Sequence, residues 1–185
     1  MNWRVLLLGG ASGTGKSSLS YPLARRYGSP IVEVDDLVEA LQAMTTPEQQ
    51  PMLHYWLTHP EAAQLPAGRI VDLQIEFARA LRPAVEAVIA NHVQSDTPVI
   101  IEGDYLLPGP LPDLVRAAFV HEPDVDQLVH NYRLREPYAG QQHGRAEASA
   151  RYGDWLAEQA VSYGIPVIKA RPWETALERL CLLLE

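Results

Sequence analysis

The chain has 185 residues, 47% of them hydrophobic, with 23 Asp and Glu against 15 Lys and Arg for a formal charge of -8. That length supports one domain, residues 1–185, with its own core, and excludes two ordinary domains. The acidic balance and the lack of a dense Lys/Arg block argue against a nucleic-acid partner or an anionic membrane surface.

In chain order, residues 4–8 form a continuous apolar run stopped by Gly9-Gly10, the pattern of a strand buried on both faces of a parallel sheet. This run is too short for a signal or spanning segment, which makes the cytoplasm the expected compartment. Residues 16–27 space Leu19, Leu23 and Tyr27 as a helix, with Pro22 as a potential kink and Gly28 as the stop. A second strand is expected over 30–36, ending in Asp35-Asp36, and a short helix over 37–44. Four X-Pro pairs between residues 45 and 68 predict loop and broken helices. Ile70, Leu73, Phe77, Leu81, Val85, Val88 and Ile89 then mark a long amphipathic helix over 70–93, interrupted at Pro83. Further strands are expected over 97–104, 115–121 and 165–170, and helices over 124–135, 145–163 and 173–184. The lone Cys181 lies in an apolar run and reads as core. Strands alternating with helices predict an α/β domain, a three-layer α/β/α fold around a five-stranded parallel sheet.

Between the first strand and helix, Gly10-Ala11-Ser12-Gly13-Thr14-Gly15-Lys16-Ser17 satisfies G-x-x-x-x-G-K-[ST], in the context this phosphate-binding P-loop motif requires. Gly10, Ser12, Gly13, Thr14, Gly15 and Ser18 are candidate phosphate contacts, because close-packed backbone N–H groups and a helix N-terminus attract anions. Lys16 is expected on the β- and γ-phosphates, and Ser17 on Mg²⁺, which takes hard oxygen ligands. The expected ligand is a nucleoside triphosphate, ATP with Mg²⁺.

In open α/β sheets ligands sit beyond the carboxyl ends of the strands, where Asp35-Asp36 and Glu102-Gly103-Asp104 are expected to end. Asp35 is the candidate base for an acceptor hydroxyl and a candidate metal ligand, with Asp36 as the alternative base. Either aspartate could instead cap the following helix. Glu102 stands where a Walker B acid would hold Mg²⁺. Arg133, Arg135, Arg145 and Arg151 fall in a segment, 133–151, that reads as a closing helical lid, with Arg133 and Arg135 as candidate phosphate and transition-state contacts. Arg171-Pro172 follow the last strand and are candidates for contact with the nucleotide base. The stretch 45–93 is assigned to the acceptor, a small molecule, with Asp35, Asp36, His54, Gln74, Arg79 and Asp104 as candidate contacts. No second His/Cys pair accompanies His54 and His59 at ligand spacing, which argues against a metal role for them.

The run Leu8 to Ser17, with Val34-Asp35, Thr46-Pro47 to His54, Gln74, Ile100-Ile101-Glu102-Gly103 and Leu106 to Gly109, resembles the P-loop kinases known as 2-phosphoglycerate kinases over roughly residues 4–110. Beyond that, the lid arginines and last strand are similar to the wider group of nucleoside, shikimate and gluconate kinases. The resemblance implies an ATP-dependent kinase acting on a small-molecule hydroxyl. Two departures from the 2-phosphoglycerate kinase pattern, Val38 for an arginine and Asp104-Tyr105 for a hydrophobic-His pair, disfavour a phosphorylated acceptor. The competing reading is an ATPase or nucleotide-dependent switch whose insertion residues Met52, Leu53, Tyr55, Trp56 and Leu57 meet a protein partner.

Overall fold

A computed structural model describes residues 2–184. Five strands, β1 (Val5–Gly9), β2 (Ile31–Glu33), β3 (Val99–Gly103), β4 (Val115–His121) and β5 (Val167–Lys169), form one parallel sheet in the order β2-β3-β1-β4-β5. Every residue of β1 is buried, as its unbroken apolar run requires. Val5 and Leu7 face a core completed by α4 (Ala67–Gln94) and α6 (His143–Ser162). Leu6 and Leu8 face the opposite core, completed by α1 (Lys16–Tyr27) and α7 (Trp173–Leu184), which also buries Cys181. Side chains alternate across a strand, so one sequence run feeds both layers.

The register decides where chemistry can gather. Glu102 lies opposite Leu8 on β1 and opposite Glu33 on β2, while Gly9 lies opposite Gly103. The carboxyl ends of the three strands are therefore level, and the chain leaves all of them at one rim of the sheet.

Several boundaries differ from expectation. β2 stops at Glu33, and α2 (Val34–Met44) begins at once, so Asp35 and Asp36 occupy its first helical turn rather than a strand end. Packing explains the early turn: Val34 is fully buried, with its Cβ only 2.4 Å from where a Cβ on Gly103 would stand. Neither aspartate is the cap, since Glu33 occupies that position, but both carboxylates complement the positive end of the helix. β3 and β5 are shorter than expected, so Asp104 lies just past a strand.

The proline-rich stretch contains only α3 (Tyr55–Thr58) and a 3-10 turn, Pro60–Gln64, before α4 runs for 28 residues through Pro83. Most of its apolar side chains turn inward. Leu53 is buried and Met52 and Trp56 pack on the core, while Leu57 stays 64% exposed. The segment 133–151 is mostly the ends of α5 (Val125–Arg135) and α6, joined by residues 136–142. The two helices are tied by a Tyr132–Ser149 hydroxyl hydrogen bond of 2.7 Å and by the Arg145 guanidinium lying 4.3 Å over the Tyr132 ring. Among the described residues, no helix is long and apolar enough to cross a membrane.

Candidate active site

The glycine loop is held in shape by its own side chains. Thr14 donates its hydroxyl to the Ala11 carbonyl at 2.9 Å, and the Lys16 ammonium donates to the same oxygen at 3.0 Å. Asn131 of α5 donates to the Gly13 carbonyl at 2.8 Å. At Gly15, φ is +86° and a Cβ would stand 2.0 Å from Cη2 of Trp173, so only glycine fits there. Gly15 leads directly into α1, which leaves the free N–H groups of the helix N-terminus facing outward.

In front of the loop lies a cleft of about 480 Å³. Gly13, Gly15, Lys16, Ser17 and Ser18 form its floor, and Glu33, Asp35, Glu102 and Asp104 form one wall. The other wall is Asn131, Tyr132, Leu134, Arg135 and Trp173. Lys16 is 95% withdrawn from solvent, and its ammonium also contacts the Asp104 carboxylate. A buried cation needs such partners, because desolvation without them is costly. Glu33 is steadied by the Tyr21 hydroxyl, which donates to it at 2.8 Å.

The Ser17 hydroxyl donates to Glu102 at 3.0 Å, which sets two hard oxygen donors side by side at the phosphate loop. Among the described residues no group of three His, Cys, Asp or Glu could hold a metal ion unaided. A serine and a carboxylate alone suit Mg²⁺, which draws its remaining ligands from phosphate oxygens and water. Burial raises the Glu102 pKa above the ordinary value, opposed by Lys16 and the Ser17 hydrogen bond. Burial also raises that of Asp35; the Asp104 charge adds to the effect, while Lys16 opposes it.

Of the residues expected at the site, Gly13, Gly15, Lys16, Ser17, Ser18, Asp35, Glu102, Asp104 and Arg135 line the cleft. Gly10, Ser12 and Thr14 belong to the loop but do not line the cleft. Asp36, Arg79 and Arg133 are exposed and lie outside the lining. His54 is buried, with Nε2 3.0 Å from the Thr45 hydroxyl, and pins the insertion instead of facing a ligand. Gln74 lies outside the lining, with a buried Oε1 that has no hydrogen-bond partner. The Arg171 guanidinium is spent on Glu122, at 2.7 and 2.9 Å, and on Asp124 at 3.0 Å, and Pro172 also lies outside the lining. The next residue, Trp173, supplies the wall there.

Glu33, Asn131 and Tyr132 were not anticipated. Glu33 is the last residue of the strand beside Glu102, and Tyr132 stands one turn past the buried Leu128, with Asn131 next to it.

No family model matches the chain. It is 27% identical over 183 residues to the 2-phosphoglycerate kinase of Pyrococcus furiosus, covering 89% of this chain and 58% of that protein. It is 23% identical to the 2-phosphoglycerate kinase of Methanothermobacter thermautotrophicus, covering 89% and 60%. The chain thus spans about three-fifths of these relatives' length, and the likeness extends past residue 110. Among solved structures, a gluconokinase from Sinorhizobium meliloti 1021 superposes with a TM-score of 0.55 at 14% identity, covering 99% of this chain and 91% of the other. A shikimate kinase from Acinetobacter baumannii, in complex with shikimate, gives 0.54 at 14% identity, with 98% and 93% covered.

The fold is that of the P-loop kinases. In such a fold the cleft at the carboxyl rim of the sheet, bounded by the glycine loop, is where a ligand is expected.

Proposed function

We propose that the chain is an ATP-dependent kinase that transfers the γ-phosphoryl group to a hydroxyl of a small metabolite. The observation that carries the reading is the meeting of Lys16, the Ser17–Glu102 pair and Asp35 in one cleft. Phosphoryl transfer needs little covalent chemistry from a protein; it needs positioning and charge stabilisation.

The loop N–H groups hold the ATP phosphates, and Lys16 stabilises charge on the β- and γ-oxygens. Ser17 and Glu102 would hold Mg²⁺, which would supply positive charge against the negative charge developing in phosphoryl transfer. Asp35 orients the acceptor hydroxyl and takes its proton. Desolvation and the Asp104 charge raise its pKa, which favours uptake of the acceptor's proton. Arg135 faces the transferring group from α5, and the 133–151 segment that carries it serves as the lid that excludes water.

The test is ADP release from Mg-ATP with a panel of hydroxylated metabolites, beginning with 2-phosphoglycerate because it is named for the relatives. Acceptor-stimulated release is expected from the wild type and is lost in Lys16→Ala. A folded, ATP-binding protein that no acceptor stimulates would refute the proposal.

A further inference from the structure

The charge around the transfer point restricts what the acceptor can be. The cleft is lined by four carboxylates, Glu33, Asp35, Glu102 and Asp104, against two cations, Lys16 and Arg135. Lys16 serves the phosphates in the kinase reading, and Glu102 faces Ser17. Glu33 accepts the Tyr21 hydroxyl at 2.8 Å, so Asp35 and Asp104 remain for the acceptor side. Asp104 touches the Lys16 ammonium, which places its carboxylate beside the group being transferred. Its backbone is fixed there by Tyr152, whose hydroxyl donates to the Asp104 carbonyl at 3.2 Å.

The other arginines near this end of the molecule are paired or lie outside the cleft lining. Arg145 pairs with Glu136 at 3.0 Å, and Arg82 pairs with Glu86 at 2.7 Å on the wall of a different cavity. Arg79 and Arg133 lie outside the cleft lining. Arg135 lines the cleft but serves the transferring group in the kinase reading, and its guanidinium also contacts Glu136 at 3.1 Å.

We infer that the acceptor is a hydroxylated molecule with no phosphate or carboxylate of its own, a neutral polyol or an amino alcohol, and that Asp104 is the specificity-determining residue. The inference rests on the kinase reading. Hydroxyl and amine groups donate hydrogen bonds to Asp35 and Asp104, whereas an ionised phosphate or carboxylate group brings acceptors and meets like charge in a partly desolvated cleft.

The experiment compares kcat/KM at saturating Mg-ATP for neutral polyols, for amino alcohols and for phosphorylated hydroxy acids including 2-phosphoglycerate. The expected result is that one of the first two arms exceeds the third by on the order of 100-fold, the effect of one like charge at about 6 Å in a half-buried site. Asp104→Asn should narrow that ratio at least tenfold, with binding of a non-hydrolysable ATP analogue as the control for folding. If the variant fails that control, ionic strength supplies the second readout. Salt should lower KM for phosphorylated acceptors by screening repulsion, and should not do so for neutral ones. A wild type that prefers phosphorylated acceptors overturns this inference and leaves the kinase reading intact. Silence in all three arms overturns both.

Discussion

Substituting Gly15 by alanine tests whether the floor and wall of the cleft are built as one unit. Two costs can be separated. The backbone there has φ +86°, and an L side chain in that region costs about 1–2 kcal/mol. The new methyl would also stand 2.0 Å from Cη2 of Trp173, and overpacking of this kind costs about 1–3 kcal/mol. Gly15→Ala should therefore lose about 2–5 kcal/mol in total. Trp173→Ala removes the obstacle but not the backbone strain. In that background the same glycine substitution should cost only about 1–2 kcal/mol, leaving a coupling of about 1–3 kcal/mol in the double-mutant cycle. Urea unfolding of the four proteins measures the cycle, and titration with a non-hydrolysable ATP analogue shows whether the lost stability appears as lost phosphate binding. Additivity within about 0.5 kcal/mol would show that loop and indole do not share space, and the account of the cleft would fail.

Asp35→Asn should lower kcat by about 10²–10⁴ while the ATP analogue still binds, since the loop does not depend on it; an unchanged kcat removes Asp35 as the base. Because burial and Asp104 raise the Asp35 pKa, the acid limb of kcat/KM should lie above the ordinary carboxylate range. It should move to lower pH in Asp104→Asn, and a limb that stays put would assign the titration to another group. The same shifts have a stability sign. Asp35 and Glu102 bind protons more tightly folded than unfolded, so their contribution declines as pH rises from the ordinary carboxylate value through the raised one. Urea midpoints of wild type and an Asp35→Asn, Glu102→Gln double variant should differ in slope across that window. Away from the cleft, Arg171→Ala leaves the Glu122 carboxylate, only 2% exposed, with the Asp124 N–H but without its cation, and should lower the urea midpoint. In a Glu122→Gln background the loss should shrink, and equal losses in both would mean the pair is not what Arg171 contributes.

How far the sequence could be read depended on whether the deciding interaction was local. α1 and β4 have the expected bounds because Gly28 in a left-handed conformation and the apolar stretch Ala117 to Val120 are local signals. β2 was overextended because its end is set by Val34 meeting Gly103, a contact between residues far apart in the chain. The phosphate half of the cleft was legible as a motif. The arginines were harder to sort, since type and position in the segment are the same for Arg133 and Arg135. Helical geometry separates them: Leu128 and Tyr132 mark the inward face of α5, Arg135 is three residues beyond Tyr132, and Arg133 is turned away by about 100° per residue. His54 and Arg171 looked functional because polar residues in loops often are. Their partners, Thr45 and the Glu122–Asp124 pair, make them struts.

The strand order has a consequence for how such a protein can change. β2 and β3 are neighbours in the sheet, and everything between them, α2, α3, the 3-10 turn and α4, departs from one strand and returns on the next. Apart from the first residues of α2, that excursion lies outside the phosphate-binding floor. Its connecting turns can vary in length, while Phe77, Leu81 and Val85 of α4 must stay to cover Val5 and Leu7 of the sheet. The excursion thus meets the cleft only where it leaves and where it returns, at Asp35 and, just past β3, at Asp104, while the grip on the nucleotide is built elsewhere in the chain.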